Sequence, residues 1–145
     1  MKYESIEKIR TVIDTNVIIS AAISEDGNAA KIFELLLLEL IENYTGSEII
    51  SEVNQVFNRS KIKKVISKVD MDFILNNYCK FSRKTTPKNK FSIIKEDPKD
   101  NMILDCAVES ISQVIISGDQ HLLKLKKFKN TLILSPREFI EFTLK

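Results

Sequence analysis

Short apolar runs alternating with helix-patterned stretches constrain this chain most. Residues 10–13 (RTVI), 113–116 (QVII) and 131–134 (TLIL) are each about one short strand long and rich in branched apolar side chains. Runs of this kind suit strands covered on both faces. When helical patterns separate them, they imply βαβ units and a parallel sheet. The clearest helix is predicted over residues 28–42, with Asn28 as N-cap and Ala29, Ile32, Phe33, Leu36, Leu37 and Leu40 at helical spacing. Ser47 is read as capping a helix to about residue 58, with Ile49, Ile50, Val53, Val56 and Phe57 inward. Further helices are predicted from residue 17, over 61–68 and 70–82, from Asp97-Pro98 to about 110, over 120–124, and over 136–143. Tyr44-Thr45 reads as a brief strand, 91–94 as another candidate strand, and 85–89 as a loop around Pro87.

The expected architecture is α/β: three layers, α/β/α, around a central parallel sheet of four to five strands, with residues 47–82 forming a helical arm at one edge. A chain of 145 residues that is 43% hydrophobic can build one domain, residues 1–145, but not two ordinary ones. No apolar run approaches the roughly 18–20 residues that span a bilayer, so no membrane association is expected. The opening MKYESIEKIR is too polar for a secretory leader. Two cysteines, Cys79 and Cys106, lie in helical patterns, and one His with no CxxC argues against a zinc or disulfide framework. A reduced, cytoplasmic protein is expected.

The formal charge of +2 conceals an asymmetry. Residues 59–95 hold 11 Lys/Arg against two acids, which leaves 11 against 18 for the rest of the chain. A basic segment on an otherwise acidic chain is an electrostatic footprint for a polyanion. A second cluster, KLKKFK, lies at 124–129.

The acids follow the strands. Asp14 sits between the first strand and the first helix, and Asp119 follows VIISG before a short helix. In open parallel sheets, ligands bind outside the carboxyl ends of the strands. Each Asp can also be a plain helix cap. In EDPKDNMILDCAVES, Asp97-Pro98 reads as N-cap and first helical residue, and Asp100 falls where a capping-box carboxylate would reach back. Asp100 also shares a face with Ile103, Leu104 and Ala107, at the top of the buried stripe. Asp105 lies about 140° around the helix from Asp100 and is expected on the flank. Glu52, beside apolar positions of the 47–58 helix, is a fourth candidate, with a surface role as its plain alternative. Several carboxylates in one cleft repel one another unless they are protonated or met by a cation, and an all-oxygen set suits Mg²⁺ or Mn²⁺. An acidic cation site beside a basic segment points to metal-assisted phosphodiester hydrolysis. His121 is not required by that chemistry and is read as an ordinary helix or loop residue.

VIDTNVIIS, SEIISEVNQVF, DPKDNMILDCAVES and IISGDQHLL, in this order and spacing, resemble the PIN domain family over about residues 9–139. The resemblance implies a Mg²⁺- or Mn²⁺-dependent nuclease, chiefly an endoribonuclease, with Asp14, Glu52, Asp100 and Asp119 as catalytic and metal-binding acids. It makes Asn16, Ser117 and Asp105 secondary candidates. It further implies RNA as substrate, 5′-phosphate and 3′-hydroxyl products, the toxin role of a toxin–antitoxin pair with a cognate antitoxin, and a homodimer. Two alternatives differ in the residues they need. A receiver-like domain wants paired acids after the first strand and a Lys after a late one, and a DxD-type phosphatase wants a second Asp where Asn16 stands. A non-catalytic RNA-binding module needs the acids only as caps.

Overall fold

The computed structural model describes residues 7–144. Among the described residues, six strands form one sheet: β1 (Ile9–Ile13), β2 (Ile41–Thr45), β3 (Ser82–Lys84), β4 (Val114–Ile116), β5 (Lys127–Phe128) and β6 (Thr131–Leu134), in the spatial order β3-β2-β1-β4-β6-β5. All neighbours are parallel except the β5–β6 hairpin. The helices are α1 (Thr15–Ile23), α2 (Asn28–Leu37), α3 (Ser47–Phe57), α4 (Ser60–Lys63), α5 (Lys68–Phe81), α6 (Asn101–Glu109), α7 (Gln120–Leu123) and α8 (Pro136–Thr143).

Alternation along the strands sorts the core into two layers. Ile13, Val114 and Ile116 join a cluster with α1, α2, α5 and α8, whereas Val12, Ile115 and Ile133 join one with α6 and α7. Helices therefore cover both faces, as continuous apolar strands require. Leu36 is wholly buried in the first layer, and Leu36→Ala is expected to cost about 2–5 kcal/mol. Helix α3 bridges the layers: Ile49 belongs to the second cluster while Val53, Val56 and Phe57 belong to the first.

The sheet has six strands where four to five were expected, with β3 and β5 as short edge strands, and the helix predicted over 28–42 is shorter. Helix α2 stops at Leu37 because residues 41, 43 and 45 are buried on alternation and belong to β2. Glu39 takes a left-handed φ of 56°, and the amides of Leu40 and Glu39 bond back to the carbonyls of Leu35 and Leu36, a Schellman ending without glycine. The N-caps of α2 and α3 are Gly27 and Gly46 rather than Asn28 and Ser47. The helix expected over 70–82 gives up Ser82 to β3. Asn43 explains that exchange. Its Oδ1 accepts from Thr11 Oγ1 at 2.9 Å and from the Ile13 amide at 3.1 Å, while its Nδ2 donates to Ser82 Oγ at 2.9 Å. One buried, satisfied amide thus ties three strands together.

Residues 91–94 form no strand. The amides of Phe91, Ile93 and Ile94 are taken by side chains of α6, through Asp105 and Asn101, so a ladder is not needed. Cys79 and Cys106 are both free thiols. No helix among the described residues is long and apolar enough to cross a membrane.

Candidate metal centre

The chain runs from β1 to β2 and β3 on one side, then returns to β4 and β6 on the other. The sheet order therefore reverses between β1 and β4, and the carboxyl ends of those two strands lie side by side. This is where open α/β sheets form a ligand crevice. A cleft of about 440 Å³ lies there, and Asp14, Glu52, Asp100 and Asp119 all line it.

Asp14 immediately follows β1. Its Oδ1 accepts from the Thr15 amide at 2.7 Å and caps α1. Its Oδ2 accepts from Ser117 Oγ at 2.6 Å and Asn16 Nδ2 at 3.3 Å. Ser117 Oγ accepts in turn from the Asp119 amide at 2.9 Å, and Asn16 Oδ1 from the Gly118 amide at 3.1 Å. The cap reading and the cleft reading of Asp14 therefore hold together, one oxygen each. Burial is the largest influence on this carboxyl and pushes its pKa up to about 6, against the lowering effect of the Ser117 and Thr15 hydrogen bonds.

Asp100 ends a 3-10 turn, Pro98–Asp100, that leads into α6. The capping-box role is absent: Asp97 accepts from the Lys99 amide at 3.2 Å, and Asp100 makes no side-chain cap. Asp100 is only 7% exposed, and its Oδ2 has no hydrogen-bond partner among the described residues. Burial first, then the carboxylates of Asp119, Asp14 and Asp97, push its pKa up to about 8. Ionised, a buried carboxylate oxygen with no donor, facing other acids, is costly in isolation. It suits a place where a positive ligand sits.

Glu52 reaches the cleft because α3 packs against both α1 and α6. Burial raises its pKa, while the nearby Lys99 ammonium acts against the rise. Lys99 and Arg59 line the same cleft. Arg59 belongs to the basic segment, but Lys99 lies outside it, and only its place beside Asp100 marks it in the sequence. Elsewhere in the basic segment, Lys90 pairs with Glu48 and Arg83 with Glu42, so these two cations are engaged locally. Asp119 caps α7, its Oδ1 accepting from the His121 amide at 2.7 Å.

Asp105 lies outside this cleft. Its Oδ1 accepts from the Phe91 amide at 2.7 Å, which pins the irregular segment after β3. His121, by contrast, is drawn in: Asp100, Asp119 and His121 each offer one ligand atom within 4.8 Å of the others. Its position two residues past an Asp, across a helix cap, was the only sequence signal for this.

Carboxylates in this number, with one acceptor left open, form a donor set fit for a hard divalent cation. The PIN domain family model matches residues 10–121. The chain is 34% identical over 143 residues to "Uncharacterized protein MJ1680" of Methanocaldococcus jannaschii, covering 92% of this chain and 91% of that protein. Among solved structures, VapBC2 from Rickettsia felis, bound to a DNA fragment from its promoter, aligns with a TM-score of 0.60 at 14% identity, over 88% of this chain and 98% of that one. The T. brucei RRP44 PIN domain aligns with a TM-score of 0.51 at 13% identity, over 94% and 82%. The chain belongs to the PIN domain family, whose members are typically metal-dependent nucleases.

Proposed function

We propose that this protein is a Mg²⁺- or Mn²⁺-dependent endoribonuclease that hydrolyses phosphodiester bonds of RNA. We further propose that it acts in the cytoplasm as the toxin of a toxin–antitoxin pair, as a homodimer held in check by a cognate antitoxin. The observation that carries the catalytic reading is Asp100: a buried carboxylate with an unpartnered oxygen, in one cleft with Asp14, Glu52 and Asp119. Likeness to a VapBC2 complex supports the toxin reading.

In this reading Asp14, Asp100 and Asp119 hold the cation and Glu52 supports it. The cation, when bound, neutralises charge on the phosphoryl oxygens and acidifies a water. The chain's own residues do the positioning. Ser117 and Asn16 fix the Asp14 carboxylate, and the His121 amide fixes that of Asp119. Lys99 and Arg59 sit where they can take a phosphate of the strand. Such contacts anchor the backbone and carry little base information.

The test is cleavage of a mixed single-stranded RNA in Mg²⁺, Mn²⁺ or EDTA, with Asp14→Asn beside the wild type and the product ends analysed. Metal-dependent cleavage leaving 5′-phosphates, absent in the variant, supports the proposal. RNA bound equally with and without metal, and cut by neither protein, replaces it with a binding module whose acids serve as caps.

A further inference from the structure

We propose that His121 coordinates the cation through its imidazole, which turns the acidic cleft into a mixed nitrogen–oxygen site selective for Mn²⁺ over Mg²⁺. This rests on the cleft being a cation site, as proposed above.

Three buried polar atoms among the described residues lack a hydrogen-bond partner: Asp100 Oδ2, His121 Nδ1 and Thr15 Oγ1. All three residues lie at or beside the one cleft. Unpaired buried polar atoms are rare, and two of these, Asp100 Oδ2 and His121 Nδ1, belong to one group of candidate ligands, which points to a shared partner. Asp100 supplies the decisive one, since the residue is only 7% exposed and lines the cleft.

His121 Nδ1 lies 3.6 Å from Asp119 Oδ1. That is too long for a hydrogen bond. It is close to the separation of two donors on one ion: atoms about 2.1 Å from a cation, at right angles, are about 3 Å apart. A shift of about 0.6 Å in a partly exposed imidazole closes the difference. The alternative partner for Nδ1 is Asp119 itself, as a loose ion pair to a protonated ring. That arrangement would leave Asp100 Oδ2 still unpaired, whereas a cation shared by Asp100, Asp119 and His121 partners Asp100 Oδ2 and His121 Nδ1 together.

The donor set decides the metal. Mg²⁺ prefers oxygen, keeps its waters and gains little from an imidazole. A transition-metal ion bonds nitrogen more strongly, so a single His in a ring of carboxylates raises affinity for Mn²⁺ over Mg²⁺. His121 also has the right attachment. Its backbone amide caps onto Asp119 Oδ1, so the ring and the carboxylate are held in fixed register by the main chain. That cap uses the amide alone and survives substitution of the side chain.

The experiment uses full-length protein, with calorimetric titration of Mn²⁺ and of Mg²⁺ and pulsed EPR of bound Mn²⁺, for wild type, His121→Gln and Asp119→Asn. For the wild type we expect ¹⁴N modulation on bound Mn²⁺ and tighter binding of Mn²⁺ than Mg²⁺. In His121→Gln the nitrogen signal disappears and the Mn²⁺ Kd rises at least about tenfold, the smaller end of what losing even an outer partner costs, while the Mg²⁺ Kd changes less than about twofold. Mn²⁺ bound by the wild type without a nitrogen signal, or with equal affinity in His121→Gln, overturns the role of His121 and leaves the acidic site standing. No binding of either ion, or binding unchanged in Asp119→Asn, overturns the cation site as well.

Discussion

Ser117 Oγ donates to Asp14 Oδ2 at 2.6 Å and accepts from the Asp119 amide at 2.9 Å, so one hydroxyl at the end of β4 sets the position of two acids that are 105 residues apart in sequence. Ser117 is wholly buried. Ser117→Ala strands a buried carboxylate oxygen and an amide together. We expect a stability loss of about 1–3 kcal/mol, read from the urea midpoint at unchanged m-value, and a fall in cleavage rate as Asp14 loses its orientation.

The acidic cleft makes the metal-free protein pH-sensitive. Asp14 and Asp100 have folded pKa values raised to about 6 and about 8. Below the ordinary carboxylate range both folded and unfolded chains are protonated and the stability is fully present. As pH rises past about 4 the unfolded chain ionises first, while these two groups still hold protons when folded. Stability in EDTA therefore falls between about pH 4 and pH 8. A shift the size of that of Asp14 corresponds to a loss on the order of 3 kcal/mol. Thermal melts across this range check the sign, and saturating Mn²⁺ should flatten the profile, because a cation favours the ionised acids.

Asp105 and Asp100 lie near each other in sequence but do different work. Asp105→Ala removes the acceptor for the Phe91 amide and should cost about 1–3 kcal/mol while leaving Mn²⁺ affinity unchanged. Calorimetric titration and a melt of the same sample separate the two readouts.

Ile111 ends α6 with a left-handed φ of 53° and is 74% exposed. The amides of Ser112 and Ile111 bond to the carbonyls of Ala107 and Val108, the Schellman pattern that glycine normally serves. A β-branched residue there is strained by about 1–2 kcal/mol. Ile111→Gly should stabilise the protein by about 1 kcal/mol, seen as a higher urea midpoint with cleavage unchanged.

The parts of the fold legible in the sequence are those where local pattern and tertiary need agree. Strand β4 is three fully buried residues and reads as a strand from its branched apolar run alone. Helix α8 forms over the predicted residues, Pro136–Thr143, and a capping box of Ser135 and Glu138 opens it. Leu38 and Leu40 continue the apolar count of α2, yet both are exposed. Only the pairing of β2 with β1 decides that the chain must turn there, and that is a long-range fact. Edge strands β3 and β5 are too short and too charged to carry a pattern of their own. The same division runs through the site. Asp14 and Asp119 are legible from strand ends. Lys99 and His121 are marked in the sequence only by standing next to Asp100 and two residues past Asp119, and that their segments meet at one site is a long-range fact. Residues 91–94 mislead because side-chain acceptors on α6 replace the ladder that their composition invites.

The claim that the cleft acids are placed for a cation rather than for capping is tested most directly with Asp100→Asn, because Asp100 caps nothing. Cleavage of single-stranded RNA in Mn²⁺ and the melting temperature in EDTA at pH 7.5 are measured on the same preparation. We expect cleavage to fall about a hundredfold or more, the loss of a few kcal/mol of charge stabilisation. The metal-free protein should melt at least about 3 °C higher, as the burial and like-charge penalty is relieved. Retained cleavage together with a lower melting temperature would contradict it, and would make Asp100 a structural residue.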